Sequence, residues 1–229
     1  MKNTILIIIP AYNEEDAIVQ TVQSLLTLGS YDYLIVNDGS TDRTKHILQE
    51  NHYNHVSLPA NLGIGGAMQT GYKYAERHGY DYAIQLDADG QHNPQDLKKL
   101  VHAIQTTDAN MVIGSRFVEK TAYKGSSSRR AGIYYFYSMI RLISGVKISD
   151  PTSGYRIVDR EVIRYFAHEY PVDYPEVEVI VKLARKKMKI LEVPVEMSSR
   201  QGGVSSITPL KSIYYMFKVT FFSVIRSYL

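Results

Sequence analysis

The decapeptide QLDADGQHNP, residues 85–94, places Asp87, Asp89 and Gln91 two residues apart directly after an apolar run. Two ionised carboxylates a few ångströms apart repel each other, and one stays protonated unless a cation sits between them. In an extended segment, residues two apart project to one side, so Asp87, Asp89 and Gln91 would offer three oxygen donors to one ion. Hard oxygen donors without Cys or His suit Mg²⁺ or Mn²⁺, which such sites hold through one or two carboxylates and complete with substrate phosphates. The stretch therefore asks for a divalent cation and a phosphorylated ligand. His92 is expected to face solvent from the loop rather than to act as a fourth ligand, and Asn93, before Pro94, to cap the next helix.

Three more polar motifs need explaining: PAYNEE (10–15), NDGSTD (37–42) and NLGIGG (61–66). Each follows an apolar, β-branched run. The pattern predicts strands at 4–9, 33–36, 55–58, 82–86 and 110–114. Between them, apolar residues at helical spacing predict helices at 14–26, 40–50, 65–79 and 94–105, the second opened by Ser40 or Thr41 as N-cap. Such βαβα alternation implies an α/β fold with a mainly parallel sheet and helices on both faces. In open sheets of this kind ligands bind beyond the carboxyl ends of the strands, where all four motifs fall. NLGIGG has neither the GxGxxG spacing nor a GK[ST], so it is not a dinucleotide fingerprint or a P-loop.

The second half reads differently. Residues 117–132 are polar, basic and loop-like, and 133–145 is an aromatic helix candidate. Residues 149–158 read as turn then strand, 176–187 as an amphipathic helix and 189–197 as a strand. A glycine-bearing loop, 198–207, precedes a last segment, 208–229. The 229 residues suit one domain, with 1–115 as a nucleotide half and 116–207 as an acceptor half. The absence of cysteine excludes disulfides and thiolate metal sites and permits a reducing compartment. A net charge of +3 is too small to argue for nucleic acid. Only about six apolar residues precede Pro10, too few for a signal peptide, and no run reaches the ~20 needed to span a bilayer.

IPAYNEE, VNDGSTD, NLGIGGAMQTGYKYA, QLDADGQHNP, GSR and DPTSGYRIV together resemble the family-2 glycosyltransferases of GT-A fold. The resemblance covers about residues 4–207 and is greatest to the dolichyl-phosphate mannose synthase and polyprenyl-phosphate glycosyltransferase branch. It implies a metal-dependent, inverting transferase whose Asp-x-Asp motif binds a divalent metal on a nucleotide-sugar diphosphate. Pro10, Ala11, Tyr12 and Glu14 would line the nucleotide pocket, with Asp38 on the base edge or ribose and Gly39 allowing close approach. Asp87, Ala88 and Asp89 would face the donor, the metal being held by Asp87, Asp89 and Gln91. Arg200 would meet the donor diphosphate. Arg116 and either Arg129 or Arg130 would hold an acceptor phosphate, and Asp150 would be the base or orienting group.

These residues imply transfer from a nucleotide sugar, a UDP-sugar in first place, to a polyprenyl phosphate. A saccharide or growing glycan is the alternative acceptor, and a non-catalytic nucleotide-sugar-binding subunit is the alternative class. Several members of the branch continue into transmembrane helices, whereas this chain stops at Leu229. In 208–229, Leu210, Ile213, Tyr214, Phe217, Phe221, Val224, Ile225 and Tyr228 recur three or four apart, with Lys211, Lys218 and Arg226 off that stripe. Such a helix suits a membrane interface, and equally the packing of a core or a subunit contact. The expected location is cytoplasmic, peripheral on the cytoplasmic face of the membrane, as a monomer or homo-oligomer.

Overall fold

The computed structural model describes residues 4–29, 31–118, 127–173 and 175–197, the side chains of 127–131 excepted. In chain order the elements are β1 (Ile5–Ala11), α1 (Ile18–Leu26), β2 (Asp32–Asn37), α2 (Thr44–Glu50), β3 (His55–Ser57), α3 (Gly63–Arg77) and β4 (Tyr82–Gln85). They continue with α4 (Leu97–Thr106), β5 (Met111–Ser115), α5 (Ser127–Ser144), β6 (Arg156–Asp159), α6 (Arg160–His168), α7 (Pro175–Arg185) and β7 (Ile190–Pro194). The seven strands form one sheet in the order β3-β2-β1-β4-β6-β5-β7. Among the described residues no helix is long and apolar enough to cross a membrane.

Strand β1 shows why the sheet is covered on both faces. Leu6, Ile7, Ile8 and Ile9 are all fully buried. Because side chains alternate along a strand, Leu6 and Ile8 join one core with Met68, Tyr72, Ile163, Phe166 and Ile180. Ile7 and Ile9 join the other with Ile18, Val22, Leu48, Leu97 and Leu100. Helices α1, α2 and α4 thus lie on one face, and α3, α5, α6 and α7 on the other.

The strands run parallel, as the alternation predicts, with one exception. β6 lies antiparallel to both neighbours, pairing Gln85 with Arg156 on the β4 side and Ile113 with Arg156 on the β5 side. Its N-terminal end therefore sits at the same edge of the sheet as the carboxyl ends of β4 and β5. The reading of 149–158 as turn then strand is right; its direction is not visible in a short apolar run.

Three local differences have plain causes. Helix α1 begins at Ile18, because Glu15–Ala17 form a turn whose Ala17 and Ile18 N–H groups both donate to the Glu14 carbonyl. Helix α2 begins at Thr44, with neither Ser40 nor Thr41 as its cap. Ser40 Oγ accepts from Asn13 N–H and Thr41 N–H donates to Asn13 Oδ1, while Asp42 Oδ1 accepts from Thr44 N–H (2.9 Å). Helix α6 was not anticipated, although Asp159 caps it by accepting from Val162 N–H (2.9 Å). Its buried residues, Val162, Ile163, Phe166 and Ala167, have helical spacing. Asn93 caps as expected, with Oδ1 accepting from Gln95 N–H.

Gly39 allows a close approach, but here the approaching group is the chain itself. Its φ is +66°, and a Cβ there would lie 2.6 Å from the Ala60 carbonyl carbon and 2.7 Å from Asn61 N. Gly39→Ala combines left-handed strain with a backbone clash and should cost at least about 1–3 kcal/mol. Urea unfolding should show the midpoint falling; an unchanged midpoint would mean that loops 37–42 and 60–63 are not packed as described.

Candidate functional site

Four loops meet at the carboxyl edge of β1, β2, β3 and β4, and they are laced together through backbone groups. Asn13 adopts φ +55°, a conformation that asparagine tolerates. Its Oδ1 accepts from Thr41 N–H (2.8 Å). Glu14 N–H donates to Thr44 Oγ1 (2.9 Å), and Glu15 Oε2 accepts from Arg43 N–H (3.0 Å). Asp38 Oδ1 accepts from Leu62 N–H (2.8 Å), which fastens the second loop to the third. Thr21 Oγ1 donates to the Ala88 carbonyl (2.9 Å) and ties the Asp87–Gln91 loop to α1. Burial raises the Asp38 carboxyl, while hydrogen bonds from Leu62 and Gly63 oppose the rise. Pro10, Ala11, Glu14 and Asp38 are buried at this edge, whereas Tyr12 is 44% exposed.

Asp87, Asp89 and Gln91 share one tight loop, not an extended segment. Residues 88–90 form a turn, with Gly90 at φ +73°, and Gln91 N–H folds back onto Asp89 Oδ1 (3.0 Å). The geometry is a tight loop, where β alternation was expected. Gln85 Nε2 donates to Asp87 Oδ1 (2.9 Å). His92, expected to face solvent, is buried: its Nδ1 accepts from Asp87 N–H (3.0 Å) and its ring stacks on Tyr155. Gly154 closes the other side, since a Cβ there would lie 3.1 Å from Asp87 Oδ2.

Could these residues hold the divalent cation implied by their chemistry? Among the described residues no group of three His, Cys, Asp or Glu side chains is placed to hold a metal ion by itself. Two carboxylates and an amide oxygen on one loop are by their chemistry donors that take Mg²⁺ or Mn²⁺ when phosphate oxygens complete the shell. The Asp87 side chain keeps 32% exposure toward that side. The donor set fits.

The expected acceptor side holds a surprise. Arg116 and Asp150 face each other as a buried pair: Nε donates to Oδ2 (2.6 Å), Nη2 to Oδ1 (2.6 Å), and Arg116 N–H also to Oδ2 (3.1 Å). Asp150 has no exposed side-chain surface. The resemblance implies a base or orienting group at Asp150 and a phosphate-binding arginine at Arg116; in this geometry each engages the other, and the pair joins the end of β5 to the loop before β6. Glu192 of β7 completes the fastening by accepting from Ser149 and Asp150 N–H. The side chains of Arg129 and Arg130, in the first turn of α5, lie outside the described residues, as do Arg200 and the segment 208–229.

Two residues were missed by sequence reasoning. Arg156 is buried and donates to the carbonyls of Ser153 (2.7 Å), Pro151 (3.0 Å) and Glu176 (2.7 Å). It thereby fastens the 150–154 loop to the start of α7. Glu176 stands in that first turn, close enough to Asp87 for their charges to interact. Burial raises its carboxyl above the ordinary range, with Arg156 opposing and Asp87 adding to the rise. The signal available was an acid at the start of a helix after a proline, a pattern that ordinary helix starts share.

The family model for Glycosyl transferase family 2 matches residues 6–166. The chain is 31% identical to the UDP-N-acetylglucosamine–dolichyl-phosphate N-acetylglucosaminyltransferase of Methanococcus voltae, over 84% of each chain. It is 30% identical to the undecaprenyl-phosphate mannosyltransferase of Micrococcus luteus, over 89% of this chain and 87% of that one. Among solved structures, Mycobacterium tuberculosis glucosyl-3-phosphoglycerate synthase in complex with Mn²⁺, UDP and phosphoglyceric acid superposes with a TM-score of 0.74. At 18% identity, over 99% of this chain and 78% of that one, this is a likeness of fold. The fold is GT-A, as the sequence implied.

Removing one partner of a buried ion pair leaves the other charged and unpaired, at a cost of about 3–5 kcal/mol. Asp150→Ala should therefore lower unfolding stability by that order in urea titration. Full stability with only turnover lost would identify Asp150 as an open base instead.

Proposed function

Because the chain belongs to glycosyl transferase family 2 and is a glycosyltransferase, we propose that it moves a sugar from a UDP-sugar to a polyprenyl phosphate with inversion at the anomeric carbon. The observation that carries this reading is the likeness, over most of the chain, to two transferases named for lipid-phosphate acceptors.

The donor lies across the laced loops. Tyr12, the exposed side chain of the first loop, offers its ring to the base, while Pro10, Ala11, Glu14, Asp38 and Gly39 shape the pocket floor. Asp87 and Asp89, with Gln91, would hold a divalent cation, which when bound neutralises charge on the departing diphosphate. Arg200 is the further contact for that diphosphate. Asp38, whose Oδ1 is held by Leu62 N–H, is proposed to meet the base edge or ribose.

A phosphate acceptor is already ionised near neutral pH and needs no strong base. That supports a structural part for Asp150, which with Arg116 sets the loop beside Asp87. Arg129 and Arg130 are the arginines proposed to grip the acceptor phosphate, since a guanidinium matches phosphate oxygens with a planar fork of donors. Glu176, whose charge interacts with that of Asp87, is proposed to orient the reacting groups. The basic amphipathic spacing of 208–229 supports a meeting with this acceptor at a membrane surface.

Detergent-solubilised polyprenyl phosphate incubated with labelled UDP-sugars and Mn²⁺ should yield a lipid-linked sugar. Transfer to a saccharide with no lipid product from any donor would overturn the acceptor assignment. Asp89→Asn keeps an acceptor for Gln91 N–H yet removes the charge. Turnover should then fall by about two to three orders of magnitude, several kcal/mol of transition-state stabilisation, with the melting temperature close to that of the unaltered protein. Near-normal turnover would remove Asp89 from the site.

A further inference from the structure

We propose that His92 is a positioning residue for Asp87, fixing that carboxylate in the orientation from which it meets the divalent cation. The proposal rests on the cation reading above and adds to it the residue that sets the geometry of the ligand.

His92 has side-chain exposure of only 3%, and its place is fixed from several directions. Its ring lies almost parallel to Tyr155, with centroids 4.5 Å apart and planes at 7°. Tyr155 is itself fully buried, and its hydroxyl donates to the Asn93 carbonyl (3.1 Å), one residue beyond His92. The His92 backbone forms an antiparallel bridge with Met197, after β7. The ring therefore has little freedom to rotate or withdraw.

Both ring nitrogens lie near Asp87, and one of them bonds to it. Nδ1 accepts from Asp87 N–H at 3.0 Å, so in the neutral ring the proton is on Nε2. Nε2 lies 3.5 Å from Asp87 Oδ2 without a hydrogen bond to it, so the ring edge stands beside the carboxylate while Nδ1 holds the backbone. Oδ1 is meanwhile held by the buried Gln85 amide at 2.9 Å. A Cβ at Gly154 would crowd both Gln85 Nε2 (2.8 Å) and Asp87 Oδ2 (3.1 Å), so glycine there leaves this bonded pair its space. One imidazole thus holds the residue at its backbone N–H and limits the space beside its carboxylate. A residue chosen only to fill space beneath the loop would leave Asp87 N–H without its acceptor.

A carboxylate that must hold a cation between itself and a diphosphate gains from being oriented beforehand, and partners that orient metal ligands typically carry 10–100-fold in metal affinity. His92→Phe preserves the stack on Tyr155 and removes both nitrogens. His92→Asn restores an acceptor close to the position of Nδ1.

The test is Mn²⁺ binding, read from the loss of the free-ion electron paramagnetic resonance signal, with UDP or GDP present, alongside thermal melting. Unaltered protein should bind and Asp89→Asn should not. His92→Phe should bind about 10–100-fold more weakly, and His92→Asn should recover a large part of the loss. Equal affinity in His92→Phe and unaltered protein, whatever the melting temperature, would overturn the proposal while leaving the cation site intact. Unaltered protein that binds no Mn²⁺ with either nucleotide would overturn the cation reading and this proposal with it. If His92→Phe does not fold, Gly154→Ala approaches Asp87 from the other side. Its added methyl would crowd Gln85 Nε2 (2.8 Å) and Asp87 Oδ2 (3.1 Å) and should weaken Mn²⁺ binding; unchanged affinity there would overturn the premise that the orientation of Asp87 governs cation binding, and the proposal with it.

Discussion

The site depends on one topological constraint, the antiparallel passage of β6 between β4 and β5. A parallel strand in that place would bring its carboxyl end to the ligand edge and send residues 150–155 to the far side. Running the other way, β6 delivers its N-terminal loop to the carboxyl end of β4, pairing Arg156 with Gln85 two residues before Asp87. Gly154 then stands against the Asp87 carboxylate. Tyr155 supports His92, and Arg156 reaches the first turn of α7. Each of these contacts follows from the direction of a four-residue strand.

That direction has to be enforced, because the loop before β6 carries strong polar groups into a buried place. Buried donors and acceptors are costly unless paired. Asp150 is matched by Arg116, the Ser149 and Asp150 amides by Glu192, and three loop and helix carbonyls by Arg156. Ser153 Oγ donates to the Gly114 carbonyl at 2.6 Å. Such a network contributes less to net stability than its count suggests, since each partner gives up water. What it provides is a single arrangement of the loop, as a half-satisfied alternative would strand a charge in the interior.

Much of this was legible in the sequence, and the limits have physical reasons. The apolar runs and helical stripes gave the order of strands and helices because both faces of the sheet are covered. The polar motifs could be assigned to strand ends because α/β sheets bind ligands there. Partners distant in sequence were not legible. Asp150 reads as a free carboxylate until Arg116, 34 residues earlier, is seen to occupy both its oxygens. His92 reads as a loop histidine until Tyr155, 63 residues later, is found beneath it. Ser40 and Thr41 look like helix caps until Asn13 takes their hydrogen bonds. In each case local propensity was overridden by a contact between segments that only the folded sheet brings together.

These contacts also divide the charged side chains into two sets. Arg116, Arg156, Asp150 and Glu192 spend their hydrogen bonds on the protein itself and hold the frame. Asp87 is different: one oxygen takes a bond from Gln85 and the other faces His92 Nε2 at a longer distance, and the side chain stays partly open. A carboxylate fixed in direction but not saturated is poised to bind something that arrives from solvent, because the cost of ordering it has been met during folding. The same reasoning separates Tyr12, left exposed on a loop whose neighbours are all fastened, from the buried tyrosines Tyr72 and Tyr155 that serve the core. Where the frame is complete, the groups it leaves open mark the ligand side of the molecule.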